Sequence, residues 1–427
     1  MAETLSNDII RHQLERLARR ERGRLVADLV HRLGAGRLQL AEDVVQDAVV
    51  AAMATWPFKG MPDNPAAWLN RVARNKAYDR LRKQGRETAL PEFEEALDPA
   101  PTVTEEADPH GQLFGAQVTD PELKLIFLCC QPAIQEEDQL MLTLKVVSGF
   151  TATDIALAFL KKDAAVGQRL ARAKRKLRAE EGALTDELSR FEIKKRLPTV
   201  LKVIYLMFSL GYAPRRGDAL ILRDVADEAL RLALALAHQP DTSSPEVHAL
   251  VALLAFQASR FDARTDGDGR LIVLRHQNRS LWDCKLINLA FQHMKLAQTG
   301  DSLTRYHLEA AIAAGHAAAP DFASTDWTQM LSVYRSLETL TASPVVAINA
   351  RVAEAHAGQP EAAFLKLEAL ASHEQLQGFA PFHTARAELL RMLKRPEEAA
   401  KSFQAALACD ASAPVVAHLQ DRLATCV

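Results

Sequence analysis

Residues 137–178 read EDQLMLTLKVVSGFTATDIALAFLKKDAAVGQRLARAKRKLR, and the reading of this stretch decides the fold. Leu140, Leu142, Leu144, Val146 and Val147 supply an apolar first helix. Gly149 ends it, because glycine tolerates the left-handed geometry of a C-cap. Thr151 is placed to cap a second helix, with Asp154 three residues on in capping-box order. That helix, over 152–159, is expected to bury Ile155, Ala156 and Phe159, and small Ala156 allows a close helix approach. A turn over 160–162 follows, and Asp163 can cap a third helix over 164–178. Val166, Leu170, Ala173 and Leu177 recur at three- or four-residue spacing and give that helix one buried stripe. Its other face carries Gln168, Arg169, Arg172, Lys174, Arg175, Lys176 and Arg178. Between Lys161 and Arg178 there are eight basic residues and one acid. A merely solvated basic helix would explain the charge, but not the short helix and tight turn before it. The pattern predicts a helix-turn-helix whose last helix reads DNA. Arg and Gln make bidentate contacts to guanine and adenine edges in the major groove. The later basic residues hold phosphates and set register.

Working outward, the segment AEDVVQDAVVAAMATW at 41–56 is a helix with Val44, Val45, Ala48, Val49 and Ala52 facing inward. Glu42, Asp43, Gln46 and Asp47 cluster near its start, where the helix dipole favours acids. Pro57, Pro62 and Pro65 mark a turn. A second basic helix, PAAWLNRVARNKAYDRLRKQGR, follows, with Trp68, Leu69, Val72 and Ala73 on its buried side. Residues 86–118 contain Pro91, Pro99, Pro101 and Pro109 among many acids and read as an acidic flexible linker. Helical periodicity resumes over 119–182. Residues 186–427 are alanine-rich and helical. Within them GQPEAAFLKLEAL and KRPEEAAKSFQAAL share a Pro-Glu helix start, with Pro360 and Pro396 36 residues apart. Proline suits the first turn of a helix. The spacing predicts tetratricopeptide-like (TPR-like) repeats in about 340–427. The exception to helix is FDARTDGDGRLIVL at 261–274, which reads as a turn followed by a short extended segment.

The fold class is therefore all-α, in a chain of 427 residues long enough for two to four domains. The net charge of −2 excludes a general polyanion binder. The N-terminus MAETLSNDII has no secretory pattern, and no apolar run reaches bilayer length. Five scattered cysteines without metal-type spacing fit a reducing cytoplasm, and the adjacent Cys129 and Cys130 read as small core residues. A cytoplasmic location with no membrane partner is expected. No carboxylate pair, metal spacing or nucleophile motif supports an enzyme, and no cofactor or metal is expected. Asp266 and Asp268 in DGDG lack the remaining ligand positions of a calcium loop. His316 and His356 read as surface or core residues. Tyr212, Arg215, Arg216, Asp218, Arg279, Trp282 and Asp283 form a candidate ligand or peptide pocket by polar–aromatic clustering.

Taken together, AEDVVQDAVVAAMATW, NPAAWLNRVARNKAYDRLRK and LMLTLKVVSGFTATDIALAFLKKDAAVGQRLARAKRKLR resemble regions 2.2, 2.4 and 4 of the extracytoplasmic-function (ECF) sigma factors of the sigma-70 family. KKRLPTVLKVIYLMFSLGYAPRRGDALILRDVADEALRLA and the later segments resemble an ECF group with a long C-terminal TPR-like extension. The resemblance implies a region 2 domain over 8–85, a linker over 86–118, a region 4 domain over 119–182 and an extension over 186–427. It implies as partners bacterial RNA polymerase core, through the beta-prime clamp helices and beta flap, and promoter DNA. A protein or small-ligand regulator would act at the extension. Asp43, Gln46 and Asp47 align with polymerase-facing positions. The loop from Trp56 to Asn64 aligns with the segment that captures an unstacked −10 base, with Asn70, Arg71, Arg74 and Asn75 beside it. Gln168, Arg169 and Arg172 align with positions that read the −35 element, and Lys162, Arg175 and Lys176 complete that surface. Gly167 stands where many relatives carry a larger polar residue. A helix-turn-helix regulator with a TPR-like sensor domain, working without the polymerase, shares the basic helix; the 41–56 helix is what separates the two readings.

Overall fold

Capping residues set where the helices begin. Asn64 Oδ1 accepts the Ala67 N–H at 3.0 Å, and Pro65 opens the helix behind it. Asp120 Oδ1 accepts the N–H groups of Glu122 and Leu123, with Pro121 in the first turn. Such side chains satisfy amides that have no partner within the helix. The computed structural model describes residues 2–85, 118, 120–159, 161–179 and 188–426. The linker expected over 86–118 lies outside these, apart from Val118, which is buried. The described residues form helices joined by turns and contain no strand, so the chain is all-α. They divide into two units: Met1–Val203 with Gln239–Asp241, and Ile204–His238 with Thr242–Val427.

The first unit begins with α1 (Ala2–Leu33), α2 (Leu38–Lys59) and α3 (Pro65–Gly85), which pack on one another. Ala41, Val44, Val45, Ala48, Ala52 and Trp56 give α2 one buried stripe. The sequence pattern ends this helix at Trp56 and places Pro57 in a turn. The structure instead carries α2 through Pro57 to Lys59, and Gly60 at φ +80° stops it. A proline in the last turn removes only one helical hydrogen bond, so the helix survives it. Next come α4 (Pro121–Cys129), α5 (Glu136–Val146), α6 (Ala152–Ala158), α7 (Asp163–Ala179) and the first part of α8 (Arg190–Tyr212). Cys129 and Cys130 are buried and unbonded to each other. Burial pushes both thiols up, Cys130 to about 12, which suits core packing and not thiolate chemistry. Gly23 of α1 lies so close to α4 and the end of α5 that a Cβ there would run into Glu122 Oε1 and fall 2.7 Å from the Val147 carbonyl.

The second unit holds the rest of α8, then α9 (Arg223–His238), α10 (Pro245–Ala258), α11 (Cys284–Ala297), α12 (Arg305–Ala318), α13 (Trp327–Thr341), α14 (Pro344–His356), α15 (Pro360–Ala369), α16 (Glu374–Gln377), α17 (Ala380–Met392), α18 (Pro396–Leu407) and α19 (Ala413–Ala424). Buried α10 packs against α9, α11 and α12, and the later helices pack as successive neighbours. Pro360 and Pro396 both occupy the first turn of their helices. The turns before them are alike. Gly358 and Lys394 both take positive φ, at 93° and 58°. The next amide, Gln359 or Arg395, reaches five residues back, to the Glu354 or Leu390 carbonyl. Glu354, 0% exposed, accepts Arg335 of α13, Arg351 of α14 and Lys366 of α15 and so ties three helices together. Over 261–274 the turn is present, closed by Asp266 Oδ1 accepting the amides of Asp268 and Arg270. The expected extended segment is only the bridge between Thr265 and Leu271, followed by helical turns at Leu274–His276 and Arg279–Leu281. No described helix is long and apolar enough to cross a membrane.

Candidate nucleic-acid interface

The geometry of 137–179 follows the local chemistry of its sequence. Gly149 sits at φ +70° and ends the first helix. Thr151 Oγ1 accepts the Asp154 amide at 3.1 Å, and Asp154 accepts the Thr151 amide at 2.9 Å, a complete capping box. Ile155 and Ala156 of α6 are buried, whereas Phe159 is only half-buried. Helix α7 starts at Asp163, whose carboxylate also accepts the Thr153 hydroxyl at 2.6 Å. Val166, Leu170, Ala173 and Leu177 are its buried residues. The face left over is basic. Lys162, Gln168, Arg172, Arg175 and Lys176 are exposed, and a Cβ on Gly167 would meet nothing within 4 Å.

Three basic side chains of α7 are engaged within the protein. Arg169 is held by Glu137 and by Asp138, the latter at 2.8 Å, so its guanidinium is fixed to the start of α5. The Lys161 ammonium and the Arg169 guanidinium hold the Glu137 carboxyl below its ordinary range, against the opposing effect of desolvation. Lys174 reaches Glu42 of α2 at 2.6 Å and donates to Gln39 Oε1 at 3.0 Å. Lys176 Nζ also donates to the Ala133 carbonyl at 3.2 Å.

On α2, Asp43 and Gln46 are exposed and Asp47 is half-buried. Arg80 of α3 bridges Asp43 and Asp47, at 3.8 and 2.5 Å. Gln39 donates to Asp43 at 2.8 Å, and Arg22 to Gln46 at 3.4 Å. These three residues therefore share one neighbourhood, pre-positioned by α1 and α3. Sequence reasoning gave Arg80 and Arg22 no such role, because their partners are far away along the chain.

The segment expected at Trp56–Asn64 divides. Trp56 is 1% exposed and packs edge-on against Trp68, with ring centroids 5.4 Å apart. It is a core residue here, and the exposed stretch starts after it, at Phe58. Asn64 uses its side chain as the cap of α3. On α3, Arg71 and Asn75 are exposed, while Asn70 and Arg74 are half-buried.

In the second unit, the residues grouped as a pocket fall into two sets with different neighbours. Tyr212 stacks on Phe208, meets Phe261 at a tilt, and lies under Arg264, whose Cζ is 3.6 Å from its ring centroid. Arg215 lies over Phe379, Arg216 pairs with Asp410 at 3.1 Å, and Asp218 is exposed. Arg279 lies over Trp282, while Asp283 caps α11. Among the described residues no three His, Cys, Asp or Glu side chains converge as a metal site.

Residues 18–87 match the sigma-70 region 2 family model. Residues 196–298 match a family of unknown function, DUF6596. A protein of Rhizobium meliloti (strain 1021), described as uncharacterized, is 38% identical over 387 residues, 90% of each chain. No solved structure matches. The chain belongs to one family with this Rhizobium protein, and its N-terminal sigma-70 region 2 domain supports placing it among the sigma-70 family factors.

Proposed function

We propose that this chain is an RNA polymerase sigma factor of the ECF type that directs core polymerase to specific promoters, with its C-terminal extension modulating activity. The observation that carries the reading is the pairing of a region 2 domain at 18–87 with a basic helix-turn-helix at 152–179 in one chain. A helix-turn-helix alone would suit many regulators. In this reading Asp43, Gln46 and Asp47 face the clamp helices of the polymerase. The exposed stretch after Trp56, with Asn70, Arg71, Arg74 and Asn75, faces the −10 element. Gln168 and Arg172 face the −35 bases, while Lys162, Arg175 and Lys176 hold phosphates. Each module alone binds weakly, and tethering both to the polymerase raises their effective concentration at a promoter.

The extension carries TPR-like repeats in about 340–427, a reading supported by the matching turns at 358 and 394. Run-off transcription with core polymerase tests the main proposal. The wild-type chain is expected to initiate from a defined promoter. Asp43→Arg with Asp47→Arg is expected to abolish both initiation and co-purification with core while helix content by circular dichroism is kept. Undiminished association of the double variant with core would overturn the assignment of this surface. Failure of the wild-type chain to initiate at any promoter tried by genomic run-off would overturn the sigma reading.

A further inference from the structure

In the second unit, two arginines crowd around one indole, and Arg260 is hydrogen-bonded to neutral side chains while Arg279 feels one exposed acid, Asp321. Arg260 follows α10, and its Cζ lies 5.3 Å from the ring centroid of Trp282. Arg279 lies closer, at 4.1 Å. Stacking on an indole accommodates a guanidinium but does not cancel its charge. The partners of Arg260 are neutral: Gln277 Oε1 at 3.2 Å and Gln257 Oε1 at 3.3 Å. Arg279 spends one nitrogen on the His316 backbone carbonyl. The acid that acts on Arg279 is Asp321, which is exposed and already accepts the Ser324 amide at 2.7 Å. Arg264, a third guanidinium, is buried near Arg260 and is directed to Tyr212. The arginines repel one another, and desolvation with the Arg260 charge lowers the pKa of both Arg264 and Arg279.

Three donor-capable atoms in this cluster are buried without a hydrogen-bond partner: Arg279 Nη2, Trp282 Nε1 and His316 Nδ1. Trp282 is 4% exposed and His316 9% exposed. Buried polar groups are nearly always paired, and a buried indole N–H usually finds an acceptor. His316 is neutral at physiological pH, because burial and the two arginines push its pKa down to about 4. Trp327 packs edge-on against its ring at 5.6 Å and holds it in place. A single water could serve one of these atoms, but it would leave the positive charge standing.

We propose that Arg260, Arg279, Trp282 and His316 form a binding site for one oxyanion group, a carboxylate or phosphate, of an acidic small ligand. The two guanidiniums supply the charge and donor forks that such groups fit. The indole N–H and the imidazole complete the acceptor's coordination, and the aromatic wall of Trp282 and Trp327 selects for a ligand with an apolar part. Binding by this site is independent of the sigma reading. Its use as the input that modulates transcription rests on that reading and fails with it.

The test uses the full-length chain at constant ionic strength, with chloride as the reference salt and inorganic phosphate and citrate as probes. A ligand that binds only the folded state raises the melting temperature in a saturable way. The expected result is a saturable rise with one or both oxyanions over chloride, accompanied by a change in tryptophan emission. A rise with phosphate alone assigns a phosphorylated ligand, and a rise with citrate alone a carboxylate. Arg279→Gln is expected to weaken binding about tenfold or more, the equivalent of about 1.4 kcal/mol. Trp282→Phe keeps the ring and deletes the N–H, and is expected to weaken binding several-fold while the fold is retained. If neither oxyanion shifts the wild-type melting temperature beyond chloride, or if both variants bind as the wild type does, the proposal is wrong.

Discussion

Lys174 of the basic helix α7 and Glu42 of α2 form an ion pair at 2.6 Å, linking two segments 132 residues apart in the chain. Glu42 is 5% exposed and also lies 3.6 Å from Arg22. A buried carboxylate that loses a cation is costly, since the remaining charge stays desolvated. Arg22 offsets part of that cost. Lys174→Ala is therefore expected to destabilise the first unit by about 1–3 kcal/mol, read as a lower urea midpoint in the full chain. An unchanged midpoint would show that Arg22 alone satisfies Glu42.

On the basic face of α7, Gln168, Arg172 and Arg175 are exposed, whereas Arg169, Lys174 and Lys176 are engaged within the protein. Arg172 is exposed, and its change to Ala is expected to weaken −35 duplex binding roughly 10- to 100-fold, the range of about 1–3 kcal/mol for a good base contact. Arg169 is clamped by Glu137 and Asp138, so Arg169→Ala is expected to act first on folding stability. Fluorescence anisotropy on a labelled duplex, set beside urea unfolding, separates the two effects. Equal losses of DNA affinity without any change in stability would contradict this division.

Glu354→Ala removes the carboxylate on which Arg335, Arg351 and Lys366 converge. Breaking a buried pair from one side costs about 3–5 kcal/mol. Calorimetry of the full chain is expected to show a large drop in the unfolding of the second unit. The more exposed Glu398, paired with Arg395 of the same turn, is expected to matter far less.

Acid is expected to loosen the second unit. His293 Nδ1 and His248 Nδ1 approach to 2.9 Å. Desolvation, then the His248 and His238 rings, push the His293 pKa from 6.5 to about 4. His248 is lowered too, by burial and by His238. A histidine depressed in the folded state is protonated first in the unfolded chain. Stability is thus whole above pH 6.5 and falls as pH drops towards 4, by at most about 1.4 kcal/mol per pH unit for one such group. His293→Phe should flatten the dependence of the urea midpoint between pH 7 and 5.

Lys394 holds a left-handed backbone, φ 58°, in the turn that Gly358 makes without a side chain. That conformation costs an L-residue about 1–2 kcal/mol, part of which glycine gives back in chain entropy. Lys394→Gly is expected to stabilise the second unit by about 0.5–1 kcal/mol, visible as a small rise in melting temperature.

Local chemistry was legible in the sequence, and distant pairing was not. The Thr151–Asp154 capping box, the Gly149 stop and the Val166–Leu177 stripe each depend on residues within a few turns, and each is present in the structure. The repeated Pro-Glu starts were legible for the same reason. Trp56 was misplaced because Pro57 reads as a breaker, and nothing in the sequence says that the helix outlasts it. Glu42–Lys174 and Arg80 with Asp43 and Asp47 join residues from different helices, so no spacing rule points to them. The crowding of Arg260 and Arg279 on Trp282 is of the same kind, since it needs the turns over 261–283 to fold first.

Gly167 remains, exposed on α7 with open space where a side chain would stand. Arg169 two residues on is held by Glu137 and Asp138, but position 167 touches nothing. A glycine inside a helix is also a small liability, about 0.5–1 kcal/mol against alanine. Any serine, asparagine or arginine that arose there would gain in helix stability and add a new contact with no old one to undo. In the proposed reading, position 167 is a place where promoter choice can drift without first passing through a damaged fold.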